Sequence, residues 1–266
     1  MTRPLRVRWL GRVRYDEADS LQRALHARAV DDYLLLLEHD HVYTLGTRAD
    51  PTHVLVPPAS VGADLVQTDR GGDVTYHGPG QLVGYPIVSI PGWGDGIRDV
   101  VGYVRRLESV LIAALADLGI AAGRRDGLTG VWVGDDKIAA IGVRVARGRT
   151  RHGFALNVEP DLTMFEHIIP CGIVGKGVTS LARLLGAPPA MPAVTDVVTS
   201  RFVAEFGYDT VERQGVSSRS TAVADHSPGE RPVQVRLRQA GVDVPAEDTT
   251  FRRPPWMRVR ADLGSD

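Results

Sequence analysis

A long apolar stripe in the middle of the chain limits the fold more than any other sequence feature. Apolar side chains recur every three or four residues across positions 97–118, and Gly119 follows as a stop signal. The spacing predicts one amphipathic helix of about six turns. Strand-like runs stand on both sides of this segment, so we expect the helix to cover a sheet.

The N-terminal region predicts further strands and a second helix. Leu5–Val13 alternates apolar and arginine residues as a half-buried strand does, and residues 16–31 carry apolar side chains at helical spacing. Residues 33–38 are predicted as a strand, because they form a run of five apolar residues that ends at Glu38. Val42–Leu45 is predicted as the continuation or the neighbour of that strand beyond a short polar turn.

A predicted hairpin follows the long helix. Residues 131–133 and 137–145 are strand-like and are joined by a Gly-Asp-Asp turn. Residues 154–158 supply a third strand after a turn at residues 147–151. Lys137 would therefore open the second strand of the hairpin.

Two shorter helices are predicted next. Thr179 or Ser180 can cap a helix that runs to Leu185, and residues 192–206 have the pattern of a longer one. Residues 212–232 are rich in Ser, Arg, Gly and Pro and show no periodicity.

The order of these elements predicts the fold class. Strands and helices occur without regular β-α alternation and without an internal repeat, which favours an α+β domain with a mixed β-sheet core flanked by helices. We expect this catalytic domain to span residues 1–211. Residues 212–266 are predicted to be a linker and C-terminal extension that is partly disordered.

Composition and charge exclude several classes of protein. The 266 residues are 43% hydrophobic and 24% charged, as in soluble globular proteins, and the longest apolar run is far too short for a membrane span. A net charge of −1 predicts no general attraction to nucleic acid or to a membrane surface. One cysteine cannot form an internal disulfide, and the N-terminal segment lacks the apolar core of a secretory signal. We therefore expect a cytoplasmic protein.

Lysine is scarce in this chain. Of 31 basic residues, only Lys137 and Lys176 are lysine, and the others are arginine. A GC-rich genome explains arginine wherever a positive charge alone is needed. A lysine that remains in such a chain is a candidate for chemistry that requires a titratable amine.

Residues 70–81, RGGDVTYHGPGQ, form a glycine-rich candidate site around His77. The segment allows either a close backbone approach to a ligand or a structural turn in which His77 makes a hydrogen bond. It is not a phosphate-binding loop, because no Gly-Lys-Ser/Thr follows it. His77 and His152 have no closely spaced partner ligands, so we predict no metal site.

The chain's only thiol lies in a constrained sequence context. Cys171 stands between Pro170 and Gly172, just before a predicted helix start, where amide groups and a cation can lower the pKa of a thiol. Lys137 opens an apolar run in which partial burial would lower the pKa of its amine. The alternatives are an inert, packed cysteine and a solvated hairpin lysine.

Four sequence blocks together resemble one enzyme family. RGGDVTYHGPGQ, KIAAIGVR, HGFALN and IIPCG, in this order and spacing, closely resemble the lipoyl(octanoyl) transferases, the octanoyltransferase branch of the biotin/lipoate protein ligase superfamily. The similarity spans roughly residues 7–206, and the extension after residue 211 lies outside it. It implies a biotin/lipoate protein ligase-like catalytic domain.

The resemblance implies a reaction and its partners. An octanoyl group would pass from octanoyl-acyl carrier protein to Cys171 as a thioester, and then to the lysine ε-amine of a lipoyl domain, in the first step of endogenous protein lipoylation. The acceptors would be lipoyl domains of 2-oxoacid dehydrogenase complexes and the glycine cleavage H protein. Lys137 would lower the pKa of the thiol and shuttle protons. No cofactor or metal is implied, and we expect a monomer.

The resemblance also implies a set of substrate-binding residues, and small side chains among them would leave an apolar slot. The implied residues are Arg70, Gly71, Gly72, Asp73, Val74, Thr75, Tyr76, His77, Ala140, Ile141, Gly142, Gly153, Phe154 and Ala155. A local run of arginines at positions 144–151 could meet an acidic carrier protein or could simply be solvated.

Three other functions remain open from the sequence. An ATP-dependent lipoate or biotin ligase would need no nucleophilic thiol, and a non-catalytic acyl-carrier binding module would only pack Cys171. A cysteine hydrolase would use His77 or His152 as its base.

Overall fold

The computed structural model describes residues 4–90, 99–169 and 176–214. Within these ranges the chain forms eleven strands and four α-helices. The strands are Leu5–Val13 (β1), Asp32–His39 (β2), Val42–Leu45 (β3), Asp64–Gln67 (β4), Val74–His77 (β5), Gln81–Ile87 (β6), Gly123–Arg125 (β7), Leu128–Val133 (β8), Asp136–Ala146 (β9), Arg149–Asn157 (β10) and Val211–Gln214 (β11). The helices are Tyr15–Arg28 (α1), Val100–Asp117 (α2), Leu181–Leu185 (α3) and Met191–Phe206 (α4).

The strands form two sheets. The larger has eight strands in the order β11-β1-β2-β6-β10-β9-β8-β7, and the smaller has three in the order β4-β3-β5. In the larger sheet β1 pairs in parallel with β2 and β11, whereas β2, β6, β10, β9, β8 and β7 pair antiparallel in turn. This mixed sheet flanked by helices confirms the predicted α+β fold.

The continuous apolar run in β2 is explained by helices on both faces of the larger sheet. Leu34 and Leu36 belong to the core that α2 and α4 cover, while Leu35 and Leu37 pack with α1 on the opposite face. All four side chains are fully buried. A strand buried on both faces has no polar side to display, so it loses the usual alternation.

Helix α2 carries the long apolar stripe seen in the sequence. Leu107, Leu111 and Leu115 are buried in the main core, and the helix ends at Asp117, before Gly119. Asp99 caps the helix by accepting a hydrogen bond of 2.6 Å from the backbone N–H of Gly102. The predicted start at residue 97 lies outside the described residues.

Two strands differ from their sequence predictions. Val42–Leu45 neither continues β2 nor lies beside it, because it is the central strand of the smaller sheet. Strand β10 begins at Arg149, so the predicted turn at 147–151 shortens to residues 147 and 148. Arginine residues concealed the start of β10 from a search for apolar periodicity.

The C-terminal edge of the larger sheet lies at the predicted domain boundary. Strand β11 pairs in parallel with β1, with Leu5 opposite Val211 and Arg8 opposite Gln214. The sheet therefore continues three residues past position 211, and the division of the chain at that position stays a prediction. Residues 215–266 lie outside the described residues. Among the described helices, none is long and apolar enough to cross a membrane.

Candidate active site

A cavity of about 560 Å³ opens between the glycine-rich segment, β9 and the first turns of α2. This volume falls within the range of about 300–1,000 Å³ that is common for small-molecule sites. Two of its walls differ in construction. The glycine wall comprises residues 70–75 and 140–142, and the helix wall comprises Val100, Val101, Val104, Arg105 and Glu108.

Backbone contacts hold the glycine wall in place. The backbone N–H of Gly71 donates to the carbonyl oxygen of Val143 at 2.9 Å, and the backbone N–H of Arg48 donates to the carbonyl oxygen of Gly72 at 3.1 Å. A Cβ on Gly46 would lie 2.3 Å from the oxygen of Gly72, closer than any side chain allows. Glycine at position 46 is therefore required by the close approach of two backbone segments.

Arg70 lines the cavity at the start of the glycine wall. Its guanidinium is buried and donates to the Thr44 carbonyl oxygen at 2.6 Å and to the Thr44 hydroxyl at 2.8 Å. A Cβ on Gly142 would stand 3.1 Å from Cδ of Arg70. The missing side chain at position 142 therefore leaves room for the arginine stem against β9.

Lys137 reaches the cavity because β9 contains a bulge. Val131 pairs with Ala139 while Trp132 pairs with Lys137, so one extra residue is inserted at Ile138. Ile138 and Ala139 consequently both pack in the main core, and Lys137 lines the cavity. The lysine Nζ lies 4.8 Å from the ring centroid of Trp132, within the range of a cation–π contact.

A buried chain of hydrogen bonds joins the glycine-rich segment to the backbone of Lys137. His77 donates from Nδ1 to Gln81 at 2.7 Å, and Gln81 donates to the Asn157 side-chain oxygen at 2.9 Å. The side-chain amide nitrogen of Asn157 donates to the carbonyl oxygen of Thr179 at 3.0 Å. The backbone N–H of Thr179 donates to the carbonyl oxygen of Lys137, also at 3.0 Å. Three of the four motif blocks therefore meet in one network.

A second, much smaller cavity of about 30 Å³ lies beside the first and shares part of its wall. His77, His152, Gly153, Phe154 and Ala155 line it. Burial and the nearby His39 lower the pKa of His77 well below its usual value, and burial lowers that of His152. Both histidines are consequently neutral near pH 7.

Comparison with known proteins identifies the family. The model of the lipoyl protein ligase A/B catalytic domain matches residues 14–203. The chain belongs to that family. An octanoyltransferase of Mycobacterium sp. strain KMS is 51% identical over 209 residues, covering 75% of this chain and 84% of the relative. One of Gloeobacter violaceus is 50% identical over 202 residues, covering 74% and 88%. Within the lipoyl protein ligase A/B family, the chain therefore belongs to the octanoyltransferases, which are acyltransferases.

Solved structures show the same fold at low sequence identity. A putative lipoate protein ligase from Thermoplasma acidophilum aligns with a TM-score of 0.65 and 16% identity, covering 82% of this chain and 90% of that one. A lipoate-protein ligase A structure with bound ATP aligns with a TM-score of 0.64, also at 16% identity. These structures support the biotin/lipoate ligase-like fold.

Most residues expected to bind substrate in this octanoyltransferase lie at the two cavities. Lys137 and nine of the predicted residues line the larger cavity: Arg70, Gly71, Gly72, Asp73, Val74, Thr75, Ala140, Ile141 and Gly142. His77, Gly153, Phe154 and Ala155 line the smaller one, which also touches Arg70, Thr75, Ala140 and Gly142.

Tyr76 and Gly153 have structural roles that the motif reading did not anticipate. Tyr76 is fully buried, lines neither cavity, and packs edge-on against Phe165 with its ring centroid 5.2 Å away. A Cβ on Gly153 would lie 2.2 Å from the Gly84 oxygen, so its small size serves the pairing of β10 with β6. Of the other small residues predicted to form an apolar slot, Ala140 and Gly142 line both cavities, Ala155 lines the smaller one, and Ala139 is buried in the main core.

Asp73 is held by its own neighbours. Its carboxylate is 2.6 Å from Nδ1 of His53 and accepts a hydrogen bond of 2.7 Å from the N–H of Val74. The carbonyl oxygen of His53 in turn accepts from the N–H of Ile169 at 2.9 Å. Asp73 therefore links the glycine wall to the segment that ends at Ile169.

Cys171 lies outside the described residues. The described chain stops at Ile169 and resumes at Lys176, which lines the larger cavity together with Gly177. Gly177 accepts a hydrogen bond of 2.9 Å from the N–H of Lys137, and Val178 forms a parallel bridge with Lys137. The residues on the C-terminal side of this interval are thus tied directly to the predicted catalytic lysine.

The arginine cluster at positions 144–151 is not one exposed patch. Arg149 and Arg151 are buried and form ion pairs with Asp32 and Asp69, so the interpretation as a solvated or docking surface is wrong for these two. Although burial favours a protonated Asp69, the hydrogen bond from His152 and the charge of Arg151 hold its pKa well below the usual value. One buried acid, Asp32, and one partly buried acid, Asp69, thus neutralise arginines that the sequence presents as a basic run.

Sequence reasoning missed the helix wall and two amides. The first turns of α2 have an ordinary amphipathic pattern, and nothing in that pattern indicates a cavity. The one available signal was Glu108, a charged residue within the apolar stripe of the helix. Gln81 and Asn157 were quoted as the last letters of two motifs, but their mutual contact depends on the pairing of β6 with β10. Among the described residues, no group of three or more His, Cys, Asp or Glu side chains could hold a metal ion.

Proposed function

We propose that this enzyme transfers an octanoyl group from octanoyl-acyl carrier protein to the lysine ε-amine of lipoyl domains through a thioester on Cys171. The acceptors are lipoyl domains of 2-oxoacid dehydrogenase complexes and the glycine cleavage H protein. The reaction takes place in the cytoplasm, where the single cysteine stays reduced. The enzyme acts as a monomer.

The observation that carries this proposal is the shared cavity. It brings Lys137 and the Ala140-Ile141-Gly142 segment of the same strand together with the glycine-rich block, which is far from them in the sequence. The family relationship supplies the octanoyl group, because relatives at about half identity are octanoyltransferases. A partly apolar cavity beside an amine suits a neutral acyl chain with a reactive carbonyl at one end.

The first step exchanges one thioester for another. The thiolate of Cys171 attacks the octanoyl carbonyl carbon, the bond to the sulfur of the carrier breaks, and the leaving thiolate takes a proton. Lys137 accepts the proton of the Cys171 thiol and returns one to the leaving sulfur. The exchange is nearly isoenergetic because the bonds broken and formed are of the same kind.

The second step converts the thioester into an amide. The amine of the acceptor lysine attacks the carbonyl carbon, and the bond to the sulfur of Cys171 breaks. Lys137 takes the proton released by the amine and passes it to the cysteine thiolate. Aminolysis of a thioester is downhill, so the reaction requires no ATP.

The acyl chain contributes binding energy through burial beside Ala140 and Gly142. Seven chain carbons would contribute about 5 kcal/mol at most, at about 0.8 kcal/mol for each buried CH₂. One methylene changes discrimination by about 1–3 kcal/mol, so chain lengths next to octanoyl should be accepted at reduced rates.

Intact-mass analysis tests the mechanism. The full chain is mixed with octanoyl-acyl carrier protein in the absence of ATP, and Cys171→Ser and Lys137→Ala are treated alongside it. The wild-type protein should gain one octanoyl group and lose it to an added lipoyl domain. Cys171→Ser should gain none, and Lys137→Ala should react about 10²–10⁴-fold more slowly.

Three outcomes would support other functions. Octanoylation of the lipoyl domain by Cys171→Ser from free octanoate and ATP would show an ATP-dependent ligase. Steady release of octanoate without an acceptor would show a hydrolase. Binding of the donor without any acyl adduct on the wild-type protein would indicate a non-catalytic binding module.

A further inference from the structure

Glu108 is a buried carboxylate that the two-step mechanism does not use. It lies on the helix wall, on the same stripe of α2 as Leu107 and Leu111, and it is completely buried. A carboxylate in this position is costly unless charges and hydrogen bonds compensate it. The groups that donate hydrogen bonds to Glu108 therefore indicate its role.

Three donors surround Glu108. Arg105 donates to Oε2 at 2.8 Å and Arg124 donates to the same oxygen at 2.9 Å. The backbone N–H of Gly130 donates to Oε1 at 3.1 Å. The side chain therefore connects α2 with β7 and β8.

Gly130 is the link between Glu108 and Lys137. Its φ is +121°, and a Cβ there would lie 2.6 Å from the Ala139 oxygen, so only glycine fits. The same Cβ position is 3.4 Å from Cε and 3.5 Å from Cδ of Lys137. The stem of Lys137 therefore packs on the peptide that Glu108 holds, with Trp132 supporting its ammonium group.

We infer that Glu108 is a positioning residue for Lys137, which fixes the Gly130 peptide against the lysine stem and supplies a negative charge to that side of the cavity. This inference rests on the proposed role of Lys137 in proton transfer. Other charged side chains also line the cavity, and their effects must be separated from that of Glu108. They are Arg48, Arg70, Asp73, Arg105 and Lys176.

Three of these charged groups already have acidic or basic partners. Asp73 is engaged by His53, Lys176 forms an ion pair with Asp135, and Arg105 pairs with Glu108 itself. Arg48 and Arg70 are arginines and keep their charge at every pH at which the enzyme folds. Among the cavity-lining residues that the structure describes, Glu108 is thus the acid on the helix side.

The test is the pH profile of the second step, measured as single-turnover transfer from octanoyl-enzyme to a lipoyl domain. Glu108→Gln keeps an oxygen for the Gly130 N–H and removes the charge. The site becomes more positive, which disfavours the ammonium form of the lysine. The acid limb should therefore move to lower pH by about half a unit or more, with KM for the lipoyl domain changed less than twofold.

Arg124→Gln provides the opposite change. Its side chain is 39% exposed and lies outside the cavity lining, so the variant is expected to fold. Removing this cation leaves Glu108 less neutralised, and the acid limb should move to higher pH. Glu205→Gln removes an acid that pairs with Arg106 on another face of α2 and should leave the profile unchanged.

The two proposals fail in different ways. Full-rate transfer by Lys137→Ala would overturn the proposed function. A Lys137-dependent rate with no shift in Glu108→Gln, or shifts of the same sign in Glu108→Gln and Arg124→Gln, would overturn the inference about Glu108 alone. A thermal midpoint for each variant shows that the compared proteins are folded, and the sign of the Arg124→Gln shift decides the matter if Glu108→Gln is unstable.

Discussion

The two walls of the cavity are built by different means. The glycine wall is held by backbone hydrogen bonds between segments that approach too closely for side chains, as at Gly46 and Gly72. The helix wall presents side chains from an ordinary amphipathic helix. The first wall requires particular residues and therefore appears in the sequence as a motif. The second accepts many residues, so the sequence alone does not show it.

The largest expected effect comes from a Cβ where the glycine wall allows none. Gly46→Ala would press a methyl group against the Gly72 oxygen, which the backbone can relieve only by moving the glycine-rich segment. We expect kcat to fall about 100-fold, because displacements of about 1 Å are that costly, and stability to fall by about 1–3 kcal/mol. Steady-state kinetics and urea unfolding measure both.

A matched control is available in Gly62→Ala. Gly62, unlike Gly46, has a positive φ, but a Cβ there meets no atom within 4 Å. It should cost about 1 kcal/mol of stability and leave kcat unchanged. If Gly46→Ala and Gly62→Ala lost equal activity, the close backbone approach at Gly46 would not be what holds the glycine wall in place.

A smaller effect is expected where a Cβ is crowded but tolerated. Gly142→Ala places a methyl group 3.0 Å from the Gly71 oxygen and 3.1 Å from Cδ of Arg70, inside the predicted acyl slot. We expect kcat/KM for the octanoyl donor to fall about tenfold, equivalent to about 1.4 kcal/mol. A hexanoyl donor should lose less than the octanoyl donor, and an equal loss for both would place the acyl chain elsewhere.

The helix wall should respond weakly to a single truncation. Val101 is 69% exposed and lines the cavity, so Val101→Ala removes apolar contact without disturbing the core. We expect KM for the octanoyl donor to rise about threefold, or about 0.6 kcal/mol, with kcat unchanged. Val30→Ala, at an exposed residue outside the cavity lining, should leave KM as it is. A tenfold loss of kcat in Val101→Ala would show that this wall is as demanding as the other.

Acid should weaken the glycine wall through Asp69, the residue just before it. The hydrogen bond from His152 and the charge of Arg151 outweigh burial and hold the pKa of Asp69 below its unfolded value. A carboxyl group with a lowered folded pKa stabilises the fold above its unfolded pKa, and that stabilisation is lost as pH falls.

The measurement is the free energy of unfolding between pH 7 and pH 3. Wild type should lose stability through the region near pH 4, and Asp69→Asn should be less stable at pH 7 but flatter with pH. Asp117→Asn, which removes an exposed acid whose pKa is also lowered, by the hydrogen bond from Arg201, controls for acids elsewhere. Parallel curves for wild type and Asp69→Asn would contradict this role.

The sequence predicted those elements that have a clear local signal. Helix α2 was predicted because its apolar residues repeat regularly, and the hairpin of β8 and β9 because a Gly-Asp-Asp turn joins two strand-like runs. Strand β4 was missed because it is short and only partly buried. The start of β10 was missed because Arg149 and Arg151 are neutralised by Asp32 and Asp69, partners that are distant in the sequence.

The candidate site shows the same limit. The motif blocks predicted the glycine wall and Lys137, because glycines and small residues are required there by the local backbone geometry. Tyr76 was included only because it lies within a motif, and it belongs to the core. Three residues were not predicted because their contacts join segments that are distant in the sequence and form only when the sheet assembles. They are Gln81, Asn157 and Glu108.

The bulge at Ile138 determines which side chains of β9 lie on the same face of the sheet. Every residue of a strand faces one side or the other according to whether its position is odd or even, and the bulge changes that parity once. Lys137 lies three residues before Ala140 and five residues before Gly142. In a regular strand these odd separations would place Lys137 on the opposite face, so the three residues line one cavity only because the bulge lies between them. The same residues in a regular strand without the bulge would turn the amine of Lys137 toward the opposite face, so this side of the cavity depends on the local pairing of β9 as well as on the identity of its residues.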